Sequence, residues 1–492
     1  MKLVPISSAD SAGICARLTV PVLAFGGILM AVTQTVVVPL LPDLPRLTGS
    51  SPGAVSWLVT ATLLAGAVLT PVLGRAGDMY GKRRVLLAAL GLMTAGSTLC
   101  ALTSDIRILI AARALQGAAA AVVPLSISIL RDELPPERTG SAVALMSSTV
   151  GIGAALGLPL AALIVQYADW HAMFWATSAL GAIGFTLAWW TVRESPVRSP
   201  ARFDTWGALG LAAGLVCLLL AVSQGGQWGW GSAPVIGLFV AALAILAVWW
   251  RQQLGAKAPL VDLRLASGRR VALPHVAALL AGFAFYANSL VTAQLLQAPV
   301  ASGYGLGLSI VATGLCLLPN GVIMLVLSPV SARVSTAYGA RVTLAVGAAV
   351  IALGYVLRIV DSRHLWTIVL GAAVVSTGTT FAYSALPTLI LRAVPLTQTA
   401  SANGVNVLMR TIGQSMCSAA VAAALVHHTT ALDGVRVPTL SGYQLAFAMA
   451  GTIALVACAT ALAIPSDPSP DGPRRTTGSR GAAQETPLKG KS

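Results

Sequence analysis

The sequence predicts an all-α integral membrane protein with fourteen transmembrane helices, arranged as two pseudo-symmetric six-helix bundles plus an inserted helix pair. Three observations lead to this prediction: the composition, a series of long apolar runs and an internal repeat. The 492 residues are 56% hydrophobic and 10% charged, whereas soluble chains carry about 25% charged residues. The runs are too long and too continuous for the short alternating strands of a membrane β-barrel.

Runs of about 20 apolar residues are long enough to cross the hydrocarbon core as helices. The first six predicted spans lie near 18–41, 54–74, 84–103, 107–130, 139–165 and 171–192. The charge-free stretch from Thr205 to Trp250 breaks between Gln224 and Pro234, which predicts an inserted pair at 205–223 and 234–250. Six more spans follow near 272–297, 306–330, 341–360, 365–391, 398–426 and 442–464.

These runs divide the chain into four parts. We predict a six-helix bundle in residues 1–200, the inserted pair in 201–257, a second six-helix bundle in 258–465 and a cytoplasmic tail in 466–492. The tail is rich in Pro, Ser, Gly and Arg, a composition typical of disordered segments.

The distribution of basic residues predicts the orientation, because Lys and Arg accumulate in cytoplasmic loops. With the N-terminus inside, 24 of the 31 basic residues fall in inner loops or termini. The outer loops receive five, namely Arg46, Arg107, Arg358, Arg363 and Arg436. Both termini are therefore predicted to be cytoplasmic in a plasma or inner membrane. The net charge of +15 follows from this topology, so we expect a lipid bilayer as surroundings and no nucleic acid as partner.

An internal repeat relates the two groups of six spans. Residues 71–83 read PVLGRAGDMYGKR and residues 329–341 read PVSARVSTAYGAR, with six of thirteen positions identical. Both copies end the second span of a group at the inner side, which predicts halves related by an axis along the membrane normal.

The loop after the second span carries a family signature. Residues 74–84 read GRAGDMYGKRR, with Gly74, an acid at Asp78, Gly81 and then basic residues. This segment resembles the signature loop of the major facilitator superfamily. Residues 113–117, RALQG, resemble the second motif of that superfamily in the fourth span, with Arg113, Gln116 and Gly117. The order of six, two and six spans is similar to its fourteen-span drug/proton antiporter branch.

Two motifs depart from that branch. Its members usually carry an Asp in the middle of the first span, where this chain has Thr33, Gln34 and Thr35. The antiporter motif of the fifth span usually has adjacent Gly and Pro, whereas here Gly157 and Pro159 are separated by Leu158. Both departures bear on proton exchange.

The signature loop suggests a latch between the two halves. Glycines permit a close helix turn, and Asp78 can accept hydrogen bonds from helix N-terminal amides or face an Arg. Lys82 and Arg83 are expected to face the cytoplasm. A basic loop that only sets topology, with a solvated Asp78, is the alternative.

Two arginines lie inside predicted spans, where a charge is costly and usually faces the bundle interior. Arg113 lies about 9 Å below the outer end of its span, at 1.5 Å per residue, and could instead reach the interface. Arg410 could contact Asn406 or Gln414 on its own helix face, or anchor the inner leaflet. For proton coupling we pair Arg113 with Asp43, the nearest acid at that level, although Asp43 could equally be a solvated loop residue.

Polar residues of the spans are candidates for binding substrate in a cavity between the halves. They are Thr33, Gln34, Thr35, Tyr286, Asn288, Thr292, Asn320, Tyr383, Asn406 and Arg410. Hydrogen bonding between helices explains any one of them equally well. Amides and hydroxyls among many apolar residues suit a neutral or lipophilic substrate.

The resemblance implies a secondary transporter that exports small lipophilic compounds, such as drugs or antibiotics, in exchange for protons. A proton-independent facilitator or importer of an uncharged metabolite is the first alternative, and a transporter-derived membrane sensor is a remote one. The chain has no phosphate-binding GxxxxGK[ST] loop, and its six cysteines are scattered singly. We therefore expect no enzyme activity, no cofactor and no metal, and a monomer.

Overall fold

The computed structural model describes residues 8–37, 40–41, 43–199, 202–432 and 435–465. Fourteen long helices lie within these ranges, numbered here in chain order. They are α1 Ser8–Thr35, α2 Pro52–Tyr80, α3 Lys82–Leu102, α4 Ile106–Glu133, α5 Pro136–Tyr167, α6 His171–Thr191, α7 Thr205–Trp228, α8 Ala233–Gly255, α9 Arg269–Gln297, α10 Ile310–Tyr338, α11 Ala340–Val360, α12 Leu365–Ala393, α13 Thr399–His427 and α14 Leu440–Leu462.

Most of these helices are suited to a bilayer. In the described ranges, thirteen are long and apolar enough to cross a membrane. The other long helix, α13, interrupts its apolar residues with Asn403, Asn406, Arg410 and Gln414. The predicted all-α membrane fold is confirmed. The predicted tail, 466–492, lies outside the described residues.

The end of α2 differs from the prediction at the signature segment around Asp78. The second predicted span ends at residue 74, but α2 continues to Tyr80. Asp78 therefore lies in the last turn of a helix instead of a loop. Gly81 alone joins α2 to α3, with φ of 115°, a left-handed conformation that favours glycine.

The short connections make successive helices antiparallel, so helix ends collect on two faces. The connections α2–α3, α4–α5, α6–α7 and α12–α13 meet on one of them: Ser199 N donates to the carbonyl of Asp78, and Arg131 to that of Val394. We call this the basic face, because the predicted inner loops with their Lys and Arg residues lie there, and the other the opposite face.

Hydrophobic packing groups the helices as the repeat suggests. One large apolar cluster draws all its buried members from residues 277–464, and another draws nearly all of its members from residues 22–192. Helix α7 of the inserted pair packs on both α2 and α13 through Ala67, Leu211, Leu215 and Leu408, and α8 packs on α7.

Small residues allow helices to approach closely, both between the two groups and within the first group. An ideal Cβ at Gly321 of α10 would lie 2.6 Å from the Cβ of Ala155 in α5, and one at Gly314 would lie 3.1 Å from Pro159. Gly157 of α5 faces the hydroxyl of Thr35 in α1 with no room for a side chain. Close helix contact through small residues is the usual packing mode in membranes.

A short hairpin, which the sequence analysis did not predict, follows α13. Its antiparallel strands are β1 Thr429–Leu432 and β2 Val435–Pro438. The hydroxyl of Tyr304 donates to the carbonyl of Pro438, which ties the hairpin to the connection between α9 and α10.

Asp204 fastens the inserted pair at the basic face. One carboxylate oxygen accepts from the amide of Gly207 at 2.8 Å and so caps α7. The other accepts from Nε2 of Gln253 in α8 at 2.6 Å. The indole of Trp249 also donates to the carbonyl of Gly207 at 2.7 Å.

We expect Asp204→Ala to lower the free energy of unfolding by about 1–2 kcal/mol, because loss of a helix N-cap has that cost. Asp204→Asn keeps an acceptor for Gly207 and should lose less. Thermal melting of the purified variants in detergent measures the effect. Equal melting temperatures for Asp204→Ala and the wild type would contradict this role.

Candidate functional site

Asp78 joins the two groups of helices at the basic face. Its carboxylate is fully buried and accepts hydrogen bonds from the backbone amides of Ala400 at 3.1 Å and Ser401 at 2.9 Å. These amides belong to the first turn of α13, where the helix dipole is positive and the amides have no intrahelical partner. The anion of one group is therefore satisfied by the backbone of the other.

Lys82 extends this contact. Its ammonium group donates to Asp132 Oδ2 at 2.6 Å and to Thr399 Oγ1 at 3.1 Å, and its side chain is fully buried. The prediction that Lys82 faces the cytoplasm is therefore wrong. The turn of α2 into α3 directs this side chain inward, towards the end of α4. We call Asp78, Lys82 and Asp132 with the first turn of α13 the latch.

Neighbouring residues hold the latch in place. Ser195, in the connection after α6, donates to Asp132 Oδ2 at 2.6 Å, and Ser128 of α4 bonds to Thr399. An ideal Cβ at Gly74 would lie 2.6 Å from the carbonyl oxygen of Ala400, so only glycine permits this approach of α2 to α13. Arg83 is exposed in part and donates to the carbonyl of Trp189 at 2.6 Å.

Arg113 is buried among uncharged acceptors. Its guanidinium donates to the carbonyls of Leu58 at 3.1 Å and Thr33 at 2.9 Å, and to Gln116 Oε1 at 2.6 Å. Gln116 in turn donates to Ser97 at 2.9 Å. The residue thus ties α4 to α1, α2 and α3 in the first group.

Two features complete this motif. Gly117 begins the short 3₁₀ turn of α4, Gly117–Ala121, and an ideal Cβ there would lie 2.8 Å from the carbonyl of Thr62. The predicted partner Asp43 is exposed at the opposite face. Among the described residues, no carboxylate lies within ion-pair distance of Arg113, so the structure does not bring Asp43 and Arg113 together.

A second buried arginine was missed in the sequence. Arg358 was assigned to an outer loop, and this assignment is wrong: the residue lies inside α11 and is fully buried. It donates to Asn288 Oδ1 at 2.9 Å and Thr292 Oγ1 at 2.8 Å, and it lies 3.9 Å from the ring centroid of Phe447. The sequence signal for its burial is its place inside the predicted span 341–360, where an arginine usually faces the bundle interior.

Arg410 has a different environment. Its guanidinium lies 4.7 Å from the ring centroid of Tyr383, an arrangement that stabilises a buried cation. Hydrogen bonds to Asn406 and Gln414, which the sequence suggested, are not formed. Tyr383 also packs against Phe285, so Arg410 is part of an aromatic contact between α9, α12 and α13.

A small cavity lies between the two groups of helices. Its volume is about 80 Å³, and its lining includes three predicted residues, Thr35, Asn288 and Asn320, together with Phe285 and Met324. Asn288 connects this cavity to Arg358. The other predicted substrate residues do not line it; they are Thr33, Gln34, Tyr286, Thr292, Tyr383, Asn406 and Arg410.

Two acids at the opposite face are held as anions. Asp169 accepts hydrogen bonds from the amide and ring of His171, which lower the pKa of Asp169. The amide of Arg363 and the ring of His364 likewise lower the pKa of Asp361. A lowered pKa makes a carboxylate a poor proton carrier near neutral pH.

Comparisons with known proteins place these features in context. A family model of the Major Facilitator Superfamily matches residues 23–418 and again 276–490. The chain is 29% identical to the multidrug resistance protein Stp of Mycobacterium tuberculosis, over 76% of this chain and 70% of that one. It is 27% identical to the tetracenomycin C resistance and export protein of Streptomyces glaucescens, over 67% and 60%.

A solved structure has the same fold. The crystal structure of the human organic anion transporter MFSD10 (TETRAN) superposes with a TM-score of 0.65, over 91% of this chain and 99% of that one, at 17% identity. At this identity the likeness concerns the fold alone.

We expect Asp78→Asn to loosen the latch, because an amide has no charge for the helix dipole and offers an N–H where an acceptor is needed. Tyr80 and Leu396 are both exposed and can carry spin labels. In Asp78→Asn, pulsed electron paramagnetic resonance should then show a larger population of long distances between the two labels. Asp105→Asn at the opposite face is the matched control. An unchanged distance distribution in Asp78→Asn would rule out the latch.

Proposed function

Because the chain belongs to the Major Facilitator Superfamily, we propose that it exports small lipophilic compounds by alternating access, driven by the proton gradient. The observation that carries this proposal is the pair of hydrogen bonds from the first turn of α13 to Asp78. This contact joins the two groups of helices at one face only, so breaking it lets the basic-face ends separate. A cavity between the groups would then open to that side.

The chemistry of the central cavity supports a neutral or lipophilic substrate. Thr35, Asn288 and Asn320 offer hydroxyl and amide groups beside Phe285 and Met324. A few polar groups that orient a ligand within an apolar lining are typical of small-molecule sites. The names of the relatives, a multidrug resistance protein and an antibiotic export protein, agree with this substrate class.

We place the basic face in the cytoplasm and both termini with it, because basic residues are retained on that side. The membrane is then the plasma or inner membrane of the cell. We keep a monomer as the working unit, since each chain holds a latch and a cavity of its own.

In the described part of the chain, the lack of an acid near the central cavity supports a second candidate function. Among the described residues, no carboxylate lines the central cavity or pairs with Arg113. A proton carrier needs a titratable group that responds to its surroundings. This observation favours the alternative, a proton-independent facilitator or importer of an uncharged metabolite.

Cells expressing the chain should accumulate less of a lipophilic cationic dye, and a protonophore should abolish the difference. Asp78→Asn should abolish export, because it breaks the latch. Arg113→Lys should remove it as well, because an ammonium group cannot reach the carbonyls of Leu58 and Thr33 and Gln116 together. Arg363→Lys, at an exposed position, is the control and should export normally.

Each outcome separates the two candidates. Export that persists with the protonophore favours the facilitator, and wild-type export by Asp78→Asn would overturn alternating access through this latch. Membrane insertion of every variant is checked by surface labelling, so that loss of transport is not confused with loss of protein.

The cavity predicts a change in affinity. Asn320→Leu removes an amide that has no buried charged partner among the described residues, so the substitution leaves no unpaired charge. The hydrogen bond that this amide would make to a substrate contributes about 0.5–1.5 kcal/mol to binding. We therefore expect KM to rise roughly two- to tenfold for substrates with hydrogen-bonding groups, with little change in kcat. Thr452→Val, on an exposed helix face, is the control. An unchanged KM across a panel of substrates would exclude Asn320 from the binding site.

A further inference from the structure

A second and larger pocket lies beside the inserted pair, near the basic face. Its volume is about 470 Å³, and it is enclosed by α7, α8, α9, α13 and the segment before α9. Leucine, valine and tryptophan side chains dominate its lining, including Leu215, Leu246 and Trp249. Pockets that bind small ligands have volumes of about 300–1,000 Å³. We call it the side pocket.

One histidine of the lining has a buried nitrogen without a partner among the residues that the structure describes. His275 of α9 lines it and is 7% exposed, and its Nδ1 is buried with no hydrogen-bond partner in the described part of the chain. A buried polar atom without a partner is unfavourable. A bound molecule with an oxygen at this position would satisfy it.

The depth of His275 suits the ester region of a lipid. It lies six residues after Arg269, where α9 begins, which is about 9 Å along the helix axis at 1.5 Å per residue. Trp249 and Trp250 line the same pocket, and tryptophans favour the membrane interface. The side pocket therefore lies just below the headgroup level of the basic-face leaflet.

Exposed basic residues are close in sequence to residues that line the side pocket. Ser267 and Ala272 line the pocket, and between them lie Arg269 and Arg270, both exposed and in no ion pair among the described residues. The same twenty-residue stretch, 251–270, also holds the exposed cations Arg251, Lys257 and Arg264. Clusters of four to eight basic residues next to a membrane helix attract anionic lipids.

We propose that the side pocket binds one anionic phospholipid of the basic-face leaflet. An acyl chain fills the apolar pocket, an ester carbonyl accepts a hydrogen bond from Nδ1 of His275, and the phosphate lies at Arg269 and Arg270. The lipid fills the space between the inserted pair and the second group of helices. Only 17% of the apolar segment of α8 is buried inside the protein, so a lipid on its open side would stabilise its position.

The test is lipid retention, which needs no transport. The purified chain is incubated with palmitoyl-oleoyl phosphatidylglycerol or with phosphatidylcholine of the same chains, and bound lipid is counted by native mass spectrometry. The wild type should retain one phosphatidylglycerol at least tenfold better than phosphatidylcholine. R269Q/R270Q should lose this preference, and R198Q/R333Q, two exposed arginines that do not line the pocket, should keep it.

Two variants address the pocket itself. Leu246→Trp fills it and should abolish retention of both lipids. His275→Phe keeps the shape and removes the nitrogen, so retention of phosphatidylglycerol should fall roughly two- to tenfold, as expected for one hydrogen bond. Should Leu246→Trp fail to fold, as judged by size-exclusion chromatography, His275→Phe still tests the pocket.

Other outcomes overturn the proposal. Unchanged retention of phosphatidylglycerol in R269Q/R270Q, or in His275→Phe, would remove the assigned headgroup or ester contact. Equal retention of both lipids by the wild type would indicate a neutral lipophile as the occupant. None of these results depends on whether the chain exports dye, so failure of this proposal is distinct from failure of the export proposal.

Discussion

The arrangement of the two groups of helices depends on the hydrogen bonds that the buried carboxylate of Asp78 accepts. A carboxylate without water must be satisfied by donors, or its burial costs several kcal/mol. Asp78 obtains two donors, and both are backbone amides of Ala400 and Ser401 in the other group of helices. Because α13 can supply those amides only at its first turn, the contact specifies the position of that helix end against α2. Any separation of the two groups at this face must therefore provide Asp78 with water.

The two fully buried arginines follow a similar principle with the opposite sign. Arg113 and Arg358 each donate to oxygens that carry no charge, in the first and in the second group of helices. Each arginine connects neighbouring helices through these acceptors. Because the acceptors are uncharged and are not carboxylates, protonation does not remove the contact. Arg358 also orients Asn288, whose side chain reaches the central cavity. Arg358 thus contributes to the shape of the region between the groups.

The fold was predictable from the sequence, while much of the site was not. Apolar run length and charge-free segments are local properties, so the long helices could be placed. The spacing of Gly74, Asp78 and Gly81 predicted a latch, but it left open whether Asp78 would meet helix amides, an arginine or solvent. Lys82 was misplaced because one residue, Gly81, joins two helices, and the sequence does not reveal the direction in which the next side chain points. Pairing Asp43 with Arg113 failed because closeness in membrane depth does not imply contact.

The central cavity of this conformer is too small to hold a drug-sized substrate. About 80 Å³ is well below the 300 Å³ or more that drug-sized ligands occupy. Beside this cavity, α5 and α10 approach each other closely where Gly321 meets Ala155 and Gly314 meets Pro159. A cleft of about 430 Å³ lies nearby at the basic face, lined by Arg131, Thr336 and Arg392 among others. Binding a larger compound therefore requires α5 and α10 to separate.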